Sequence, residues 1–508
     1  MLPETIREAA RRFGERTAYV IEPPGGTWRD GFELTYADVD RLSDEHAAGL
    51  VRRGVRPGDR VALVVPPGAE YLVGYLGAAK AGAITTGVND RLSAAEREAV
   101  LDRAQPALVL TAPGFGSDRF ECLEVAPSAS ADDVLREIRV RGADAPAVAI
   151  DDDADVAIIF TSGTTGAPKG ARYGNRQLRC ITQTDIGDAW DLGGRTSSGT
   201  SFAHLGFMTK LPGALRRGGV TYVQKRWRAA DALALTAEQR MTTLAGVPTQ
   251  LALMLRDPSF DDLDLSSVAF VILGGGPVTP GLAEEARRRI GAKLATRYSC
   301  TEAGIGLGTA FDAPEEDAVV SVGRPHPVVT LGLRHAADPD RTDDVAVGEV
   351  GEVCLRSPAC MHGYWDDPAA TAAAFTPDGF VRTGDLGYLD EQGRVRLVGR
   401  NKEMYVRGGY NVYPVEVEAA LSLHPGVAAA AVVPEPDPVM GERGVAVIVP
   451  AIADQPPTLR DVREFLAHHV AAYKLPENLQ VVDALPLTAM DKLDRTALRA
   501  MLQTAPTR

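Results

Sequence analysis

Cysteine, lysine and long apolar runs are all scarce in this chain of 508 residues, and each scarcity excludes something. The five cysteines (Cys122, Cys180, Cys300, Cys354 and Cys360) are odd in number, scattered and without CxxC spacing. That pattern argues against a disulfide framework and against a zinc site, and leaves reduced thiols as the expectation. No run approaches the ~18 apolar residues that a membrane span requires. The opening residues carry Glu4, Arg7, Glu8, Arg11 and Arg12 where a secretory signal would be apolar, so a cytoplasmic location without membrane insertion is expected. Positive charge is short as well. A net charge of −14 disfavours nucleic acid and anionic membrane as partners, local basic pockets aside.

Eight lysines stand against forty-six arginines. Where lysine does occur, a compact point charge has been kept in an arginine-rich background. Three of the eight, Lys169, Lys402 and Lys492, fall in the chemistry-bearing segments below.

What the chain has in quantity is apolar content, 45%, enough for the two or three cores that its length implies. Its first half repeats a short apolar run, a Gly/Pro/Ser turn and a helical stretch. Residues 61–65 precede a helical 66–82; residues 268–273 precede glycines 274–276 and a helix near 280–290. Alternation of this kind predicts helix-covered parallel sheets with ligands at the carboxyl ends of the strands. From about residue 320 to 400 the rhythm changes to short strands, such as 350–355, and a hairpin turn at 390–393, the mark of a smaller β-rich unit. Beyond residue 400 the pattern predicts a separate α+β unit with helices over 414–423 and 459–470 and strands over 428–433, 444–449 and 480–482. The acidic run 151–153 reads as a solvated loop.

The strongest local signal is the segment 158–170. An apolar strand, 156–160, runs into Thr161, Ser162, Gly163, Thr164, Thr165, Gly166, Ala167, Pro168, Lys169 and Gly170. Hydroxyls, glycine backbone donors and one cation together suit a polyphosphate. The P-loop of nucleotide hydrolases is excluded, because Pro168 and Gly170 flank the lysine where that motif needs Gly and Ser/Thr.

TSGTTGAPKG resembles the signature of the adenylate-forming superfamily, which includes acyl-CoA synthetases, firefly-type luciferases and peptide-synthetase adenylation domains. Further segments resemble that family in order, over nearly the whole chain. Ser201-Phe202-Ala203-His204 is similar to the segment bordering the acyl pocket, and Gly274-Gly275-Gly276-Pro277 to the loop on which adenine packs. Arg297-Tyr298-Ser299-Cys300-Thr301-Glu302 resembles the YGxTE element, with Ser299 in place of the usual glycine. By that resemblance Tyr298 stacks on adenine, Thr301 meets the α-phosphate and Glu302 binds Mg²⁺. Cys300, with no partner base in view, reads as a packed residue. Arg382-Thr383-Gly384-Asp385 resembles the RTGD element, implying that Asp385 holds the ribose hydroxyls. In the segment 399–404, Arg400 is then implied to meet ribose or phosphate and Lys402 to be the hinge.

Residues 408–418, GGYNVYPVEVE, are closer to acyl- and aryl-CoA ligases than to peptide synthetases. Gly408 and Gly409 would let a pantetheine arm pass close to the backbone. Lys492 matches the family's catalytic lysine, with Asp491 where glycine is usual. The resemblance implies an α/β large domain, residues 1–400, and a mobile C-terminal domain, residues 401–508, that rotates about the hinge. The expected activity is that of an acyl-CoA ligase: a carboxylic acid and Mg²⁺-ATP give acyl-AMP and pyrophosphate, and CoA then gives acyl-CoA and AMP, with Lys492, Glu302, Thr161 and Lys169 as catalytic residues. His204, Phe207, Ile305, Leu307, Gly274 and Gly276 suggest a pocket for a largely hydrophobic acid. Tyr473, Lys474 and Arg443 are candidates for the CoA phosphates, and a homodimer is an open expectation. Loading of a carrier protein, efficiency in only one half-reaction and a non-catalytic acyl- or nucleotide-binding regulator stay open as alternatives.

Overall fold

The structure is a computed structural model that describes residues 1–149, 151–161, 168–198, 200–338, 340–488 and 492–504, without the side chains of the last two. Among the described residues, five sheets organise it. The central one has six strands, in the order Cys122–Glu124, Leu108–Thr111, Arg60–Val64, Ile84–Gly87, Asp155–Thr161 and Lys169–Gly174. The first five run parallel. Val61, Ala62, Leu63 and Val64 are all fully buried, as expected of a strand covered on both faces.

The sixth strand departs from the strand-helix alternation read from the sequence. Lys169–Gly174 returns antiparallel to Asp155–Thr161, so that strand is followed by a strand and not by a helix. Two hydroxyl-rich turns, each followed by a strand or a helix, look alike locally; only long-range pairing separates them.

A second sheet pairs Thr243–Gly246, Phe270–Gly274 and Lys293–Tyr298 in parallel, then adds Leu307–Gly308 and Arg324–Pro325 antiparallel. A third carries Phe32–Thr35, Thr17–Ile21, Val220–Val223 and Arg195–Ser198. The β-rich unit is a four-stranded antiparallel sheet of Thr330–Arg334, Gly351–Arg356, Val381–Leu389 and Val395–Arg400. The C-terminal sheet joins Tyr410–Val412, Tyr405–Arg407, Gly441–Pro450, Val427–Asp437 and Asn478–Val481. Helices Pro414–Leu421 and Leu459–Leu466 pack on it. The second begins at a capping box, Thr458 Oγ1 accepting from the Asp461 N–H while Asp461 accepts from the Thr458 N–H. It stops before residue 470, because His468 and His469 bond three residues back, to Phe465 and Leu466.

Among the described residues, no hydrophobic cluster spans the region around residue 400, and three smaller clusters lie before it beside the largest. The largest draws on residues from Met1 to Val395, whereas two others are built only from residues between Tyr405 and Leu502. The fold is therefore α/β, a large N-terminal domain followed by a small C-terminal one. They touch where the Gly281 N–H meets Ser422 Oγ at 3.3 Å and where the Arg256 guanidinium reaches the Ala428 carbonyl.

Candidate active site

Strands of the two parallel sheets deliver their carboxyl ends to one cleft, the position that this sheet type favours for ligands. Asn89 follows Ile84–Gly87, Thr161 ends Asp155–Thr161, the glycines 274–276 follow Phe270–Gly274, and residues 298–302 follow Lys293–Tyr298. Ser162, Gly163, Thr164, Thr165 and Gly166 lie outside the described residues.

Asp385 is the hub of the first cluster. It is 7% exposed, and its register partner across the sheet is Arg400, whose Nε donates to Oδ1 at 2.7 Å. Tyr298 donates its hydroxyl to Oδ2, also at 2.7 Å. Burial, followed by the Asp385 charge, holds the Tyr298 phenol well above its ordinary pKa, so it stays a donor. The carboxylate is thereby oriented from both sides while keeping lone pairs for further donors. Gly384, at φ +72°, makes the turn, and the Thr383 hydroxyl accepts from the Asp385 N–H at 3.1 Å.

Glu302 centres the second cluster. Its Oε1 accepts from the Tyr364 hydroxyl at 2.7 Å, and the carbonyl of Thr301 accepts from Tyr173. Lys169 is exposed, with Nζ 5.3 Å from the centre of the Tyr364 ring. Thr161 stands opposite Lys169, the register pair of the two strands farthest from Asp155 and Gly174. Ser299 bonds locally to the Cys300 carbonyl, and burial pushes the Cys300 thiol well above its ordinary pKa, which suits a packed residue better than a nucleophile.

The third cluster brings the C-terminal domain in. Lys492 reaches the glycine loop so closely that a Cβ on Gly275 would lie 3.5 Å from its Cε and 3.8 Å from its Nζ. Burial is the main reason that its ammonium is held below its ordinary pKa; Arg400 adds to this and Asp385 opposes it. Gly276 borders Pro248, Gly274 packs on the Arg297 carbonyl, and Pro277 is exposed. His204 shares a hydrogen bond with Asn89, Nδ2 to Nε2 at 3.1 Å. Burial, then Lys492 and Arg91, lowers the His204 pKa to about 4, so the imidazole is neutral at neutral pH. Phe207 stacks on Phe202, and Tyr71 meets both rings edge-on. Ile305 is 9% exposed, whereas Leu307 is fully enclosed in the main core, paired with Tyr298.

The remaining candidates stand apart from these clusters. Gly408 and Gly409, at φ +55° and +87°, turn a hairpin of the C-terminal sheet, Gly408 beside Met440 and Gly409 exposed. Tyr410, 58% exposed, stacks on Tyr473 at 4.8 Å. Lys474 pairs with Glu416 at 2.5 Å and Arg443 with Glu435 at 2.6 Å. Lys402 is exposed in the turn between Val395–Arg400 and Tyr405–Arg407.

Comparison with known families decides what this cleft belongs to. Residues 6–365 match the family described as AMP-binding enzyme, and residues 416–492 match the AMP-binding enzyme C-terminal domain. The chain is a member of the AMP-binding enzyme family. Among relatives, it is 33% identical to the 3-[(3aS,4S,7aS)-7a-methyl-1,5-dioxo-octahydro-1H-inden-4-yl]propanoyl:CoA ligase of Mycobacterium tuberculosis, over 98% of both chains. It is 31% identical to a fatty acid–[acyl-carrier-protein] ligase of Streptomyces coeruleorubidus, over 92% of both. The crystal structure of ATP-bound MatB from Rhodopseudomonas palustris superposes with a TM-score of 0.86 at 26% identity, covering 99% of each chain.

For an AMP-binding enzyme the cleft also holds side chains that motif reading passed over. Asn89 sits at the carboxyl end of a parallel strand, a position the strand rule could have flagged. Tyr364 belongs to a loop remote in sequence and carried no local signal.

Proposed function

We propose that the chain is an AMP-forming acyl-CoA ligase, and that it is held in the conformation that makes the acyl-adenylate. The observation that carries this reading is Lys492, a residue of the C-terminal domain, seated on the Gly275 loop of the large domain beside the Asp385 and Arg400 pair. In the first half-reaction an oxygen of the substrate carboxylate attacks the α-phosphorus of ATP, the bond from that phosphorus to the bridging oxygen breaks, and pyrophosphate leaves. Anions converge in that step, so positioning and charge neutralisation dominate. Lys492 supplies a cation at the α-phosphate and carboxylate, and Asp385 accepts from the ribose hydroxyls with Arg400 alongside. Tyr298 and the glycines 274–276, with Pro277, flank adenine, and Ser299 and Thr301 lie under the α-phosphate. Lys169, Thr161 and the hydroxyls and glycines of residues 162–166 hold the β- and γ-phosphates.

Glu302 fits Mg²⁺. The ion takes one or two protein carboxylates and completes its shell with phosphate oxygens and water, and among the described residues no cluster of three or more His, Cys, Asp or Glu forms a protein cage. When bound, Mg²⁺ neutralises phosphate charge.

For the second half-reaction the small domain, residues 401–508, turns about Lys402. The CoA sulfur then attacks the acyl carbon and AMP departs. The exposed Gly408, Gly409 hairpin and the Tyr410, Tyr473 stack, with Lys474 and Arg443 near, are the surfaces that such a turn would bring to the cleft. His204, Phe207 and Ile305 border a largely hydrophobic acid. The fatty acid–[acyl-carrier-protein] ligase relative keeps a carrier protein in play as acceptor. A panel of carboxylic acids with ATP, Mg²⁺ and CoA, scored separately for pyrophosphate and thioester, tests the reading. Both products from at least one hydrophobic acid are expected; pyrophosphate without thioester would transfer the proposal to a carrier-protein acceptor.

A further inference from the structure

Residues 361–365 form a strap that ties the strand Lys169–Gly174 to the segment carrying Glu302. On one side the Trp365 N–H donates to Gly170 at 2.7 Å, the Arg172 N–H to Gly363 and the His362 N–H to Arg172, each at 3.0 Å. On the other, the Met361 N–H donates to the Glu302 carbonyl at 2.9 Å. Tyr364 occupies the middle, 8% exposed, bridged to Ala171. Its backbone N–H is fixed on Thr371 Oγ1 at 2.9 Å, at the helix Pro368–Ala374, and Gly363 (φ +141°) lets the strap approach, since a Cβ there would lie 2.8 Å from Thr371 Cγ2. From this fixed position the Tyr364 hydroxyl donates to Glu302 Oε1 at 2.7 Å, and the face of its ring receives Lys169 Nζ at 5.3 Å.

We infer that Tyr364 is a positioning residue that holds Glu302 and Lys169 in register, so that the cation and the terminal phosphates of the nucleotide are received together. One hydroxyl takes up a single oxygen of Glu302, which sets the rotamer of the carboxylate and leaves the other oxygen for the ion. The ring limits the space open to a lysine that is otherwise exposed. The inference rests on Glu302 being the metal-bearing acid of the proposed reaction.

The test is Mn²⁺ binding by the full chain, followed by electron paramagnetic resonance in the presence of α,β-methylene-ATP. Tyr364→Phe keeps the ring and removes the donor, and it is expected to raise the Mn²⁺ dissociation constant about tenfold, the effect of one hydrogen bond to a charged group. Affinity for the analogue at saturating Mn²⁺ stays within about twofold, because the ring still faces Lys169. Tyr364→Leu weakens both. In a Glu302→Gln background the Tyr364→Phe step loses its effect, a coupling that a merely structural role would not produce. Parental Mn²⁺ binding in Tyr364→Phe, with Glu302→Gln impaired, overturns the inference alone. Parental binding in Glu302→Gln overturns the metal role of Glu302 and the inference with it.

Discussion

Lys492 is half-buried against a glycine loop while carrying an ammonium group that burial disfavours. An ordinary lysine would be cheaper to leave in water, near its usual pKa of about 10.4. Its lowered pKa means that the proton is lost earlier as pH rises, and with it the positive charge assigned to Lys492 in the proposed adenylation step. The alkaline limb of kcat/KM for pyrophosphate release should therefore lie below pH ~10.4, since that ratio reports the free enzyme. Lys492→Arg, whose guanidinium keeps its proton, should move the limb upward even if the rate falls. A limb unmoved by that substitution would mean that another group titrates.

Residue identities were the most legible level of the molecule. Asp385, Tyr298, Glu302, Lys169 and Lys492 stood out in the sequence because their motifs combine uncommon residue types at set spacing. Tyr364 and Asn89 did not, because a lone tyrosine or asparagine acquires meaning only from what the fold sets against it.

At the scale of elements, the helix Pro280–Ile290 shows how the two bodies meet. It starts at Thr279, whose hydroxyl accepts from the Leu282 N–H, with proline in the first position. Gly281 faces the end of the C-terminal helix Pro414–Leu421, and a Cβ there would come 2.2 Å from the Ser422 carbonyl oxygen. No L side chain fits unless the helices part. Gly281→Val should slow adenylation about tenfold or more by opposing this docking, with thioester formation from pre-made acyl-adenylate nearly unchanged. Stopped-flow assay of each half-reaction checks this; equal slowing of both would show that the helix contact is not specific to adenylation. Strand and helix positions were readable to within a few residues because apolar runs and caps are local signals. The direction of Lys169–Gly174 was not, since antiparallel return is decided by pairing with a strand on the far side of the loop.

Across the whole molecule, the buried clusters on either side of residue 400 share no residue, as the proposed reaction requires if one set of side chains is to be present for one step and absent for the next. The sequence implied both bodies through a change of rhythm near residue 400 and through motifs on either side of it. It did not say which arrangement the chain adopts, because that depends on small contacts such as those of Gly281 with Ser422 and Lys492 with Gly275. The most direct measurement compares Lys492→Ala with the parent in the two half-reactions separately. Acyl-adenylate formation should fall by about a hundredfold or more, while thioester formation from pre-made acyl-adenylate and CoA stays within a few-fold of the parent. Equal loss in both half-reactions would contradict the account.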